Sequence, residues 1–198
     1  EHLGQGQAYS TRDPDHRLNA PTYVHSAVPQ DAWHFTRWCV VQGLMGPDSP
    51  DPAALRPDGA HYMRRAEFGR YLQETLHALA QGAANGCRIT HHRGEAVAAQ
   101  RNGSGWQVQT RAVSGVGAVL TADMLLLATG NPRMRLPPFF APALASHPGV
   151  IENALDAARL QAVNPQARVL LLGGGLTSLD ALASLLRQGH QGPIVVIS

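Results

Sequence analysis

The residues best suited to chemistry form a glycine-rich turn in the last quarter of the chain. An apolar strand leads into Gly173-x-Gly175-x-x-Ser178, and a helix expected at Leu179–Arg187 and a strand expected at Pro193–Ser198 follow. Glycines in such a turn let a pyrophosphate approach the backbone, and the helix N-terminus offers it free N–H groups. The alternative is a purely structural glycine turn. The predicted dinucleotide-binding residues are Gly173, Gly175, Leu176, Thr177 and Ser178.

Composition excludes several classes of function. The chain has 198 residues, 44% of them hydrophobic and 15% charged, with a net charge of +2. This charge is too small to favour nucleic acid or an anionic membrane surface as a partner, and no apolar run reaches the ~18 residues of a membrane span. We therefore expect neither nucleic acid nor a membrane as a partner, and the oligomeric state is left open. Cys39 and Cys87 are far apart, which favours free or buried thiols in a reducing compartment and hence a cytoplasmic protein.

Metal and hydrolase chemistry find little support in the sequence. The chain has 10 histidines but none in an HxxxH or HExxH pattern, so no metal site is expected. His16 is the histidine of interest, with a structural role and a catalytic role equally open. Ser10, Ser26 and Ser178 lack a GxSxG context, which disfavours a nucleophilic hydrolase. No catalytic residue is identified.

Periodicity predicts which elements position these residues. Amphipathic helices are expected at 31–42, 65–80 and 153–163. Short strands are expected at 87–91, 95–100, 106–111 and 117–120, forming an antiparallel meander with a turn at 102–105. A buried strand is expected at 122–130, and the proline-rich segment 131–149 is the predicted linker.

Five short segments, in order along the chain, give it a family resemblance. Residues 3–11 read LGQGQAYST, residues 15–21 read DHRLNAP, and residues 64–72 read RRAEFGRYL. Ala128-Thr129-Gly130 and the later glycine turn complete the series. The chain resembles two-dinucleotide-binding flavoproteins of the glutathione-reductase-like superfamily. Within it, the chain resembles the FAD/NAD(P)-binding family related to flavin N-hydroxylating monooxygenases.

The resemblance implies FAD and NAD(P)H as cofactors and a small-molecule substrate, and it gives roles to residues. Gly4 and Gly6 would lie in a loop of the FAD domain. Val97 would lie on a strand that offers backbone groups to the adenine. Gly173, Gly175 and Ser178 would hold the nicotinamide dinucleotide. The implied residues near the flavin or passing close to FAD are Arg17, Leu18, Asn19, Ala128, Thr129 and Gly130.

The expected fold is α/β, a Rossmann-like doubly wound FAD/NAD(P)-binding fold with an antiparallel β-meander. Residues 1–135 would form a partial FAD domain without its N-terminal GxGxxG unit, 136–163 a linker and helix, and 164–198 the start of an NAD(P)-binding domain. The chain would thus be a fragment. The full-length protein would be an FAD-dependent oxidoreductase using NAD(P)H. The more specific expectation is a monooxygenase. The alternative is a non-catalytic or truncated nucleotide-binding module.

Overall fold

The computed structural model describes residues 3–82, 88–112, 114–130, 135–140, 144 and 146–198. Its helices are α1 (Gly6–Tyr9), α2 (His34–Val41), α3 (Arg65–Gln81), α4 (Ala157–Gln161) and α5 (Leu176–Arg187). Its strands are β1 (Gly94–Asn102), β2 (Gly105–Ala112), β3 (Gly117–Ala122), β4 (Val169–Leu172) and β5 (Ile194–Ile197). Short 3₁₀ helices lie at Thr22–Val24 and Pro52–Ala54.

An aromatic core joins α2 and α3 in the first third of the chain. Phe35 and Tyr71 are fully buried, and their ring centroids lie 4.8 Å apart. The Tyr71 hydroxyl accepts a hydrogen bond from the Ala27 amide at 3.0 Å, so the buried phenol is satisfied. Cys39 lies in the same core, and burial raises the pKa of its thiol to about 12. Cys39 is therefore the buried thiol that was expected, whereas Cys87 lies outside the described residues.

Gly69 lets α3 pack closely against α1. A Cβ at this position would overlap the carbonyl oxygen of Tyr9. The rings of Tyr9 and Phe68 meet edge-on beside it, with centroids 4.8 Å apart. The close approach explains the glycine in the middle of a helix, where it otherwise costs stability.

The predicted meander is present as an antiparallel sheet in the order β1-β2-β3. Gly103, with φ +61°, makes the turn between β1 and β2. Residues 88–91 of the strand expected at 87–91 have no regular structure, and Cys87 lies outside the described residues.

The buried strand predicted at 122–130 is wrong. β3 ends at Ala122, and residues 123–130 belong to no strand. Met124, Leu126 and Leu127 are 74%, 81% and 79% exposed. A central strand of a parallel sheet needs a partner on each side. The described residues offer none to this segment, so its apolar sequence is not enough to make it a strand.

The second half contains the predicted strand–turn–helix–strand unit. β4 and β5 pair in parallel, with Val169 opposite Ile194, and α5 connects them. Helix α5 packs through Ala181 and Leu185 onto Leu160. It ends at Arg187, and the φ of +80° at Gly189 allows the amides of Gly189 and His190 to cap the carbonyls of Leu186 and Leu185.

Two boundaries differ from expectation. The helix expected at 153–163 is reduced to Ala157–Gln161, begun by Asp156, whose side chain accepts from the Arg159 amide. Helix α5 begins at Leu176, three residues before the predicted start. The parallel sheet of the described residues has two strands, so a doubly wound sheet stays a prediction.

Candidate functional site

The glycine turn between β4 and α5 leaves room at the helix N-terminus. Gly173 has φ +103°, a conformation that favours glycine. No atom lies within 4 Å of a Cβ built on Gly173 or Gly175. Among the described residues, no side chain caps the helix at Gly175. The turn therefore presents an open cradle at the positive end of the helix dipole, which is the environment a pyrophosphate needs.

A cleft of about 1130 Å³ opens beside this turn. Gly173, Gly175 and Thr177 line one part of it, while Leu171 and Phe140 belong to its apolar wall. Clefts of this kind, apolar with a few polar groups, are typical of small-molecule and cofactor sites. The residues present thus fit the phosphate-bearing cofactor that the sequence predicts.

The 13–19 loop contains the residues expected near a flavin. Contacts with other parts of the chain hold this loop in place. The Arg17 guanidinium binds both Asp51 carboxylate oxygens, at 2.9 and 3.1 Å, and donates to the Tyr62 carbonyl at 2.9 Å. Leu18 is buried in the aromatic core. Asn19 is exposed. Of the three predicted residues, Asn19 is therefore the one whose side chain is best placed to meet a ligand.

Asp51 is the anion that organises this loop. Burial by itself raises the pKa of its carboxyl, but the hydrogen bond and charge of Arg17 and the charge of Arg64 outweigh that effect. The pKa of Asp51 consequently lies below its ordinary value. Arg64 Nε lies 3.0 Å from the carboxylate, so two cations share one acid.

Gly4 and Gly6 lie where α1 approaches α3. Gly4 has φ +95°, and a Cβ there would come within 3.3 Å of the Leu72 carbonyl oxygen. Gly6 begins α1 with φ +58° and open space around its Cα. Gly4 is thus explained by chain path and packing, and Gly6 leaves an approach for a ligand.

The remaining predicted residues lie in two separate places. Val97 is at a bulge in β1, since Ala96 pairs with Thr110 and Ala98 with Gln109. A bulge interrupts the regular ladder of hydrogen bonds at this residue. Residues 128–130 lie in the exposed segment after β3.

A buried polar cluster joins the 13–19 loop to helix α5. The Ser184 hydroxyl donates to Asp13 Oδ2 at 2.6 Å, and its oxygen lies 3.3 Å from His16 Nε2. His16 Nδ1 lies 2.9 Å from the Thr11 hydroxyl. His16 is 1% exposed and Ser184 0%. Both ring nitrogens of His16 therefore have protein partners, which favours the structural role over the catalytic one.

The cluster does not have the geometry of a hydrolase. Asp13 accepts from the serine rather than from His16 Nδ1, so no carboxylate orients the imidazole as a general base. Ser184 is also closed to a substrate by its burial.

Charge and hydrogen bonds keep Asp13 ionised. Burial by itself raises the pKa of this carboxyl. The hydrogen bonds from Ser184 and from the Asp15 amide, with the charges of His16 and Arg187, lower it below the ordinary value. Arg187 Nη2 lies 2.7 Å from Asp13 Oδ2, and Arg187 also contacts Asp15.

Arg65 makes a second link to α5. Its backbone N–H donates to the His16 carbonyl at 2.8 Å, and its Nε donates to the Arg17 carbonyl at 2.8 Å. Its Nη1 lies 2.7 Å from Asp180 Oδ2. One side chain thus bridges the 13–19 loop and α5.

Comparison with known proteins identifies the family. The model of the FAD-NAD(P)-binding family matches residues 1–132, two thirds of the chain. The chain belongs to the FAD-NAD(P)-binding family. Neither the curated proteins nor the solved structures contain a significant match.

Membership of the FAD-NAD(P)-binding family confirms the predicted cofactors, FAD and NAD(P)H, and supports a flavin- and nucleotide-dependent oxidoreductase in general. The match includes the 13–19 loop, Val97 and residues 128–130. The glycine turn at 173–175 lies beyond it and stands on its own geometry.

The described residues show neither a metal site nor a membrane-spanning helix. Among them, no group of three or more His, Cys, Asp or Glu residues could hold a metal ion. No helix among the same residues is long and apolar enough to cross a membrane.

Sequence reasoning missed the polar contacts between α5 and the rest of this FAD-NAD(P)-binding chain. A signal was present, because Asp180, Ser184 and Arg187 recur at positions i, i+4 and i+7 of an otherwise apolar helix. Such spacing puts them on one face. Their partners, however, lie more than 100 residues away in the sequence.

Proposed function

We propose that the protein is an FAD-dependent oxidoreductase that takes electrons from NAD(P)H and acts on a small molecule. The observation that carries this is the open cradle at Gly173 and Gly175, in a chain whose first 132 residues match the FAD-NAD(P)-binding family. When bound, the nicotinamide supplies a hydride and the flavin accepts it. The residues of this chain bind and orient the two cofactors.

In this proposal the chain contributes two binding regions. The N-terminal amides of α5 and the turn before it receive the dinucleotide phosphates. The exposed Asn19, the bulge at Val97 and residues 128–130 serve the flavin cofactor, while Arg17 and Leu18 hold the loop in shape. The proposed fold around them is a Rossmann-like doubly wound sheet, to which β4, α5 and β5 would belong.

The test is whether the purified protein is a flavoprotein that NAD(P)H reduces. We expect a yellow protein, or one that becomes yellow with added FAD, whose flavin absorbance is bleached anaerobically by NADH or NADPH. Comparing the two nucleotides at equal concentration identifies the donor. A colourless protein that takes up no added FAD would contradict the proposal and favour a non-catalytic module.

The finer candidate is a monooxygenase, supported by the resemblance of residues 3–21 to flavin N-hydroxylating enzymes. It predicts NAD(P)H-dependent oxygen consumption that a small amine or N-heterocycle stimulates, with incorporation of an oxygen atom from O₂ into the product. If NAD(P)H reduces the flavin but no oxygen atom enters the product, the monooxygenase is contradicted and the general oxidoreductase still stands.

A further inference from the structure

The contacts of Arg65 lie between the two proposed cofactor regions. Its backbone N–H and its Nε hold the carbonyls of His16 and Arg17, both in the 13–19 loop. Its Nη1 forms an ion pair with Asp180 of α5. Arg65 and Asp180 are largely buried, with side chains 15% and 11% exposed. A planar guanidinium can make these contacts in fixed directions, whereas a lysine ammonium cannot.

Asp180 lies close to the glycine turn. It is four residues after Leu176, the first residue of α5, which corresponds to about 6 Å along the helix axis. A helix is stiff over this distance. Any shift of Asp180 relative to Arg65 therefore moves the cradle at Gly175 relative to the 13–19 loop.

Two further contacts on the same face fix the helix against sliding. Ser184 binds Asp13 one turn later, and Arg187 binds Asp13 and Asp15 another turn on. A buried ion pair usually adds little net stability compared with apolar packing. This polar face is therefore better explained by the geometry that it imposes than by the stability that it provides.

We propose that Arg65 and Asp180 are positioning residues that set the orientation of the dinucleotide cradle relative to the 13–19 loop. The inference rests on the proposed function, since it assigns the two cofactors to these two regions. The residues touch neither cofactor in this account. They act by holding α5 in the pose that brings a hydride donor and its acceptor together, where a displacement near 1 Å can cost about 100-fold in rate.

The experiment compares Asp180→Asn and Arg65→Lys with the unmodified protein and with Arg37→Lys. The asparagine keeps the size of Asp180 and loses its charge, and the lysine keeps a charge but cannot contact both Arg17 and Asp180. Arg37→Lys makes the same change in the exposed ion pair of Arg37 with Asp31, and Arg37 does not line the cleft beside the glycine turn. It serves as the control for the loss of a guanidinium ion pair that holds neither the loop nor α5.

The first measurement uses the protein without added nucleotide. Hydrogen exchange at the Leu18 and Arg65 amides, which donate to Met63 and His16, reports on the loop. We expect at least tenfold faster exchange in Asp180→Asn and Arg65→Lys. In Arg37→Lys these amides should exchange at the native rate. Unchanged exchange in both polar variants, or equal acceleration in the control, would overturn the inference.

The second measurement separates binding from transfer. At saturating NAD(P)H, the polar variants should reduce flavin at least tenfold more slowly while the dissociation constant of NAD(P)H changes less than threefold. Arg37→Lys should stay within twofold in both quantities. Equal losses in affinity and rate would overturn the positioning role. If the unmodified protein is not reduced at all, the proposed function fails, and the exchange result still decides whether Arg65 and Asp180 hold the loop.

Discussion

Ser184 and Asp13 are 171 residues apart in sequence, yet the serine hydroxyl donates to the carboxylate at 2.6 Å in a buried site. This bond brings the helix behind the glycine turn onto the 13–19 loop. It also connects the two halves of the chain that the sequence predicts to serve different cofactors.

Removing the Ser184 hydroxyl should destabilise the protein. Ser184→Ala takes one hydrogen bond from a buried carboxylate, and we expect a loss of about 1–3 kcal/mol in the free energy of unfolding, measured in urea. Ser10→Ala is the matched control, because Ser10 is exposed and bonds only locally to the Gln7 carbonyl. It should change stability by less than about 0.5 kcal/mol. Equal effects of the two substitutions would show that the Asp13 bond is energetically unimportant.

Acid should lower the free energy of unfolding, partly through protonation of Asp51. Its folded pKa lies below the ordinary value because Arg17 and Arg64 bind the carboxylate. Asp51 therefore binds a proton more tightly in the unfolded chain than in the folded protein. The ionised carboxylate stabilises the fold above about pH 5, and this stabilisation is lost as pH falls through the folded pKa.

The check is unfolding free energy against pH for Asp51→Asn. This variant should be less stable than the unmodified protein at pH 7 and should lose less on acidification, so that the two curves approach each other at low pH. Asp48→Asn, at an exposed loop position, should run parallel to the unmodified protein. Parallel curves for Asp51→Asn would mean that its ion pairs are screened.

The two outer glycines of the turn should respond differently to alanine. Gly175 has φ −80° and open space, so Gly175→Ala should fold with stability within about 0.5 kcal/mol and still bind NAD(P)H at least tenfold more weakly. Gly173 has φ +103°, so Gly173→Ala should cost about 1–2 kcal/mol in stability as well. Calorimetric titration and thermal melting measure the two quantities. Normal NAD(P)H affinity in Gly175→Ala would contradict the cradle.

Gly69 should be intolerant of a methyl group. The overlap with the Tyr9 carbonyl would force α1 away from α3, and we expect Gly69→Ala to lose about 1–3 kcal/mol of stability although alanine favours helices. Gly175→Ala, the same change in open space, is the comparison. A neutral or stabilising Gly69→Ala in urea unfolding would show that α1 moves without cost.

The sequence is sufficient to predict those elements that depend on interactions between residues close together in the chain. The strand, glycine turn and helix at 169–187 were predicted because apolar runs, glycine conformation and helical spacing act within a few residues. The meander followed from its alternating strands and the turn at Gly103. The start of α5 was missed by three residues, since the helix begins directly at the turn.

The segment at 122–130 shows where sequence reasoning stops. Its apolar residues predict a buried strand, but a strand forms only against partners, and among the described residues this segment has none. Arg17 shows a second limit. The resemblance implies that it lies near the flavin, which stays a prediction, whereas its contacts with Asp51 and the Tyr62 carbonyl join residues 34 and 45 positions apart and appear only in the fold.

The sequence by itself determined the cofactor class, because the family motifs and the glycine turn are encoded in short stretches of chain. Only the tertiary structure decided how α5 meets the 13–19 loop. The ion pair of Asp180 with Arg65 and the hydrogen bond of Ser184 to Asp13 join residues more than 100 positions apart. The spacing of polar residues along α5 can be read locally, but their partners cannot, because the two regions meet only once the chain has folded.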